Sequence, residues 1–153
     1  MSEPLNYSAV TPRVGFPMLF SGQSQKEATV NEALLLLDIV LGAGVHGVRN
    51  DPPASPVNGD VWIVGSLPNG AFTGHVDALA GWTEGGWRFI MPRTGWRAYD
   101  LEAEQNLLFS NGWQAAVEPA APSGGAVIDL EARDAINTLI LAMRSVGIFS
   151  SSL

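Results

Sequence analysis

Four Gly-Trp pairs, Gly81-Trp82, Gly86-Trp87, Gly95-Trp96 and Gly112-Trp113, punctuate the middle of the chain, and Trp62 follows Gly59-Asp60 in a related setting. A glycine lets the backbone turn through conformations closed to other residues, and the flat, rigid ring that follows it is a strand former. A stretch built this way has no room for a long helix and predicts short strands joined by tight turns. Strands are expected at Val61–Val64, Trp87–Met91, Trp96–Asp100, Leu107–Ser110 and Trp113–Val117. Leu67-Pro68-Asn69-Gly70 reads as a turn, and Ser110-Asn111-Gly112-Trp113 as a tight hairpin in which Asn-Gly suits positive φ. The region 59–117 therefore reads as one small, strongly twisted antiparallel sheet.

Helical periodicity flanks it on both sides. Val30, Leu34, Leu37 and Leu41 step by four, three and four, which lines one face of a helix over about 25–41. Leu35, Leu36 and Ile39 widen that face, so the helix is expected to be covered on both sides. Ser21 or Ser24 is placed to cap it, and Gly42 and Gly44 to stop it. Before it, Thr11–Gly22 mixes prolines and glycines with Val14, Phe16, Met18, Leu19 and Phe20, as an apolar arm lying in a groove would. After the sheet, Glu118–Gly125 is a Pro- and Gly-rich hinge. A second helix starts at Asp129, a good N-cap, and stops at Gly147. Its Ala132, Ile136, Leu139, Met143 and Val146 keep the four-three alternation of a helix that packs along another, with Ile140 beside the stripe. Two destinations stay open for it: a neighbouring subunit, or the 25–41 helix of its own chain.

The expected fold is thus α+β: an extended N-terminal arm over 1–22, an α+β domain over 23–117 in which a helix packs on a small Trp-rich antiparallel sheet, a hinge over 118–128, and a C-terminal oligomerisation helix and tail over 129–153. With 153 residues a substantial core is within reach. Charged residues make up only 15% of the chain, against about 25% in typical globular domains. So little charge leaves neutral surface that subunit contacts are expected to cover.

Composition also excludes several functions. The net charge of −7 and the absence of any basic cluster argue against a nucleic-acid partner. The longest apolar stretch, Ala33–Val45, is broken by Asp38 and two glycines and falls short of the roughly 20 residues that span a bilayer, so no membrane insertion is expected. Met1–Tyr7 lacks a signal-peptide pattern. No cysteine is present, which removes disulfides, thiolate metal sites and thiol nucleophiles. His46 and His75 stand far apart without ligand spacing, no GxSxG elbow occurs, and the Gly42-Ala43-Gly44 run follows a helix rather than opening one. Asp100, Glu102 and Glu104 resemble a solvated charge run more than the paired carboxylates of a glycosidase. No catalytic residue, cofactor or metal is assigned, and the chain does not read as an enzyme.

Two readings of the tryptophans remain. They form the core of a sheet poor in aliphatic residues, or some of them stack on sugar faces with Arg88 beside them. On the second reading the candidate glycan-binding residues are Trp82, Trp87, Trp96 and Arg88, with Trp82 the most exposed because Ala80–Gly86 looks turn-like. The assembly interface is expected at Ile136, Leu139, Ile140, Met143 and Val146.

Certain pieces recur in a fixed order: Thr11-Pro12-Arg13 with Pro17, Gly22-Gln23-Ser24-Gln25-Lys26, Val30-Asn31-Glu32-Ala33, Pro52-Pro53-Ala54-Ser55-Pro56, Gly59-Asp60, Gly74-His75, Trp87-Arg88-Phe89 with Pro92, and Gly95-Trp96. In order and spacing the stretch from Thr11 to about Trp113 resembles an uncharacterised domain family of alphaproteobacterial prophages and gene transfer agents. The tail Asp129–Phe149 is similar to short helical segments at the ends of phage fibre and spike proteins. The resemblance implies a structural virion protein of a phage-like particle, assembled in the bacterial cytoplasm and acting as base or adaptor of a head spike or tail fibre in host attachment. It implies a homo-oligomer, trimer or pentamer, in contact with a capsid or fibre protein of the same particle. The other function in view is a carbohydrate-binding module that recognises host capsular polysaccharide through the Gly-Trp turns.

Overall fold

The computed structural model describes residues 9–19, 22, 26–42, 44–125 and 129–150. The chain divides into two compact units, Met1–Pro92 and Arg93–Leu153, and the fold class is α+β. The region expected to form one sheet is split between them. Pro92, which has no N–H to give a ladder, is the last residue of the first unit.

In the first unit, helix α1 (Lys26–Leu41) lies on a sheet of order β2-β3-β4-β5, with β2 at Val48–Arg49, β3 at Val61–Val64, β4 at Leu79–Thr83 and β5 at Gly86–Ile90. A further short strand, β1 (Gly44–Val45), leads into His46 and Gly47, which run beside β3: the His46 N–H donates to the Val61 carbonyl and the Ile63 N–H to the Gly47 carbonyl. The pairings β3–β4 and β4–β5 are antiparallel, but β2 pairs with β3 in parallel. A parallel neighbour needs a crossover of about a dozen residues, and the proline-rich connector 50–60 supplies it. Strand β4 was not expected. Its Gly81 imitates a turn residue, yet it sits mid-strand because a Cβ there would lie 2.4 Å from Cδ1 of Ile39 on α1. The glycine is what lets the helix approach the sheet.

Asp38 fixes how α1 is rotated. It is buried, and its carboxylate accepts hydrogen bonds from Thr11 Oγ1 (2.7 Å), Arg13 N (2.9 Å) and Val14 N (2.6 Å). The described part of the arm folds back on itself: Thr11 N donates to the Phe16 carbonyl, Phe16 N to Thr11 Oγ1, and Val10 bridges Pro17. Its turn grips the carboxylate. The Arg13 guanidinium then donates to the carbonyls of Ile39 (3.1 Å) and Gly44 (2.5 Å), satisfying acceptors at the helix end that have no partner within the helix. Gly42 leaves room for it, since a Cβ there would stand 2.5 Å from the guanidinium carbon. Burial holds the Arg13 pKa below its ordinary value, and the charges of Asp38 and Asp60 pull it back up in part. Ser21 and Ser24, the expected caps, lie outside the described residues.

With Asp38 and Ile39 turned inward, the opposite side of α1 faces out. At about 100° per residue, Val30, Leu34, Leu37 and Leu41 fall within about 60° of one another, on the side away from Ile39. Val30, Leu37 and Leu41 are 40–56% exposed. Leu34 is half-buried, so most but not all of the stripe expected to be covered is open.

In the second unit, β6 (Arg97–Asp100), β7 (Gln105–Phe109) and β8 (Trp113–Ala115) form antiparallel pairs. The Asn-Gly hairpin is as expected, with Asn111 at φ 57° and Gly112 at φ 111°. Helix α2 (Leu130–Ser145) opens at Asp129, whose Oδ1 accepts the Ala132 N–H (2.9 Å), and closes before Gly147 at φ 69°. Its end is sewn to β7. Asn106 N donates to the Gly147 carbonyl, the Asn106 amide to those of Val146 and Gly147, and the Gln105 amide to those of Ile148 and Ala116.

Within the expected hinge, residues 118–125 are described, and two of them are tied to the helix. Arg144 makes a two-pronged pair with Glu118 (2.5 and 2.8 Å), and Arg133 donates to the Gly124 carbonyl. Eleven residues separate the two arginines, which is about three turns, so they share a face about 16 Å apart along the axis. The six residue steps from Glu118 to Gly124 span about 19 Å when extended. Linker and helix therefore match in length and run antiparallel, so this part of the linker is a strap.

The clasp yields a stability prediction. Asp38→Ala leaves three donors without their acceptor and removes one of the two carboxylates whose charge offsets the half-buried Arg13, and should lower unfolding free energy by about 3–5 kcal/mol. Urea denaturation followed by circular dichroism checks it; a loss below about 1 kcal/mol would show that the carboxylate does not organise the unit.

Candidate functional site

The sheet of the first unit has two unlike faces, because successive strand residues point to opposite sides. Val61, Ile63, Leu79 and Gly81 lie on the face that takes α1. On the other face Trp62, Ala80, Trp82, Trp87 and Phe89 come together, since Ala80 is opposite Phe89 and Trp82 is opposite Trp87.

The rings on this second face form a continuous ribbon. Trp87 is its hub, with ring centroids 5.0 Å from Phe72, 5.0 Å from Trp82, 5.8 Å from Trp62 and 6.4 Å from Phe89. Most of these contacts are edge-on, the arrangement that the aromatic quadrupole favours. Phe72, brought in by the short helical turn Gly70–Phe72, is fully buried with Val64, Ala78 and Ala80. The ribbon ends in the chain's two histidines. His75 stacks on Phe89 at 3.8 Å with the ring planes 4° apart, and His46 lies 5.3 Å from Trp62 with its Nε2 3.3 Å from Asp60 Oδ1. Trp62 is core, whereas Trp82, Trp87 and Phe89 are half-buried.

The four candidate glycan-binding residues do not form one site. Trp82 and Trp87 are brought together as a cross-strand pair. Trp82 stands in strand β4, not in a turn, because the two-residue turn is Glu84-Gly85. Arg88 points to the opposite face, where its Nε meets Glu32 of α1 at 2.6 Å. Trp96 belongs to the second unit, where its carbonyl accepts the Phe109 N–H. Residues that spacing alone did not select, His46, Asp60, Phe72, His75 and Phe89, complete the ribbon. For Phe89 the usable signal was the alternation Trp87-x-Phe89. Among the acidic residues singled out in the sequence, Asp100 is engaged in the β6–β7 turn, where its Oδ1 accepts the Glu102 and Ala103 N–H groups. Among the described residues no cluster of three metal-ligating side chains occurs, and no helix is long and apolar enough to cross a membrane.

In the second unit the candidate surface is the apolar stripe of α2. Ile136, Leu139 and Val146 are 44–62% exposed, Met143 is half-buried and Ile140 is buried. Ile140 lies within about 40° of Arg133 and Arg144 around the helix, whereas the stripe is centred about 100° from the strap. Ile140 is thus at the strap-side edge of the expected interface, next to Ile136 one turn before it, and it is the member that its own unit buries.

The sequence profile of the DUF2793 family, a protein of unknown function, matches residues 30–114. That is more than half of the chain, and the protein belongs to this family. No curated protein and no solved structure matches it.

The ribbon predicts unequal costs for its rings. Trp87→Ala removes four ring contacts and should destabilise by about 3–5 kcal/mol; Trp82→Ala removes one and should cost on the order of 1 kcal/mol. Denaturant midpoints of the two variants check the ranking, and equal losses would refute Trp87 as the hub.

Proposed function

We propose that this member of the DUF2793 family is a structural subunit of a phage-like particle, a gene transfer agent or prophage virion, in which it forms the base or adaptor of a head spike or tail fibre and supports attachment to the host cell. One observation carries the assembly part: α2 is formed and fixed to its own unit at one end, while Ile136, Leu139 and Val146 on one face are left in solvent. An exposed row of apolar side chains at heptad spacing marks a face suited to cover by another helix. The low charge content supports the same reading. The particle itself is argued from the resemblance of Thr11 to about Trp113 to the prophage and gene-transfer-agent family, and of the C-terminal tail to fibre and spike ends. Copies of the chain, in a trimer or pentamer, are the partner that the stripe implies, with a capsid or fibre protein as the next neighbour.

Light scattering tests this. The full chain should run as a defined oligomer at micromolar concentration, and Ile136→Glu with Leu139→Glu should reduce it to one chain mass of 16.2 kDa with unchanged circular dichroism. A monomeric wild-type protein would refute the assembly role.

A second reading has its own support in the cross-strand Trp82–Trp87 pair, half-buried beside a rim that carries His46 and Asp60. Flat rings with polar groups at their edge suit the faces and hydroxyls of a sugar, so host capsular polysaccharide is the ligand to try. Added polysaccharide should quench Trp fluorescence in the wild type and not in Trp82→Ala; an unchanged spectrum in the assembled particle rules this reading out.

A further inference from the structure

Among the described residues α1 presents a second apolar stripe that the proposed assembly through α2 does not use, with Val30, Leu37 and Leu41 exposed and Leu34 half-buried. Val30, Leu34, Leu37 and Leu41 follow the same four-three-four steps as Ala132, Ile136, Leu139 and Met143, and both helices are 16 residues long. Neither stripe contains a charge. Resting on the assembly reading above, we infer that the α1 stripe is the seat for α2 of a neighbouring copy, with the two helices antiparallel.

Size complementarity sets the orientation. In the antiparallel register Leu41 meets Ala132, Leu37 meets Ile136, Leu34 meets Leu139 and Val30 meets Met143, so each large end residue faces a smaller one. The parallel register sets Val30 on Ala132 and Leu41 on Met143, a void at one end and overcrowding at the other, and both cost packing energy. The antiparallel arrangement also aligns the helix dipoles favourably.

Charge argues against α2 bundling in parallel with its own copies. Asp129 lies about 60° from the centre of the stripe, so a parallel α2 bundle gathers its carboxylates at one level with the dipoles aligned. Opposite α1 the same residue meets no acidic neighbour, because the C-terminal half of α1 carries Asp38 alone, buried in the arm's clasp. Symmetry agrees. An α1-to-α2 contact joins two unlike surfaces, and repeated around an axis whose rotation closes it covers both stripes with one interface in a ring, a form that suits a spike base or fibre adaptor.

The chain has no cysteine, so single-cysteine full-length variants report the contact cleanly. Leu37→Cys and Ile136→Cys proteins are mixed under conditions that allow subunit exchange and oxidised with diamide. The expected result is a disulfide-linked dimer in the mixture and none from either variant alone. In parallel, Leu37→Glu, a change at an exposed position, should reduce the oligomer to single-chain mass. An oligomer unaffected by Leu37→Glu, or cross-linking of Ile136→Cys with itself and not with Leu37→Cys, overturns the α1 seat while leaving assembly through α2 standing. A wild-type protein that is monomeric overturns both.

Discussion

The rotation of α1 is set by one buried carboxylate. Asp38 gathers two backbone N–H groups and a hydroxyl from the arm, and leaving those donors without an acceptor in the interior would cost more than any one apolar contact gains. Once Asp38 points at the arm, Ile39 points at Gly81 and the sheet, and the four-residue leucine and valine stripe has nowhere to point but outward. Hydrophobicity did not choose the buried side of this helix, because apolar residues lie on nearly every side of it. The polar group chose it.

The same seating decides the character of the sheet. A helix close against one face, admitted by the missing Cβ of Gly81, leaves the large rings on the other. They bury one another edge to edge, and Trp87 takes contacts from four sides. The face away from α1, where Val64 and two alanines are the buried aliphatic company of the rings, depends on that mutual burial for its own core, so the exposed edges of Trp82 and Trp87 belong to a stabilising cluster before they belong to any binding site. Arg88 follows from the alternation: placed between Trp87 and Phe89, it is forced to the helix side and spends its charge on Glu32.

What was legible in the sequence was what local chemistry determines. Asp129 and Gly147 bound α2, Asn111-Gly112 makes the hairpin, and Val61–Val64 reads as a buried strand from its unbroken apolar run. What was not legible depends on distant partners. Gly81 looks like a turn until Ile39 is placed over it, the Val30 stripe looks like core until Asp38 is seen to be held by Thr11 and Arg13, and Val48–Arg49 looks like loop until it is paired with β3. The sugar-site candidates were chosen by residue type along the chain, and strand alternation sends Arg88 to the face opposite Trp82 and Trp87.

The linker 118–125 makes contacts that its composition does not announce. Proline and glycine make a segment unable to join a helix or a ladder, which serves a hinge and a strap equally well. The difference lies in the helix: two arginines three turns apart, on a face away from the apolar stripe, catch the linker at both ends. This changes the energetics of the proposed assembly. A 16-residue helix is marginal alone in water, and one that formed only on docking would charge its ordering entropy against association. Strapped along one side and sewn to β7 at its end, α2 meets that cost during folding of its own unit, so a neighbour encounters a rigid, ready-made apolar face.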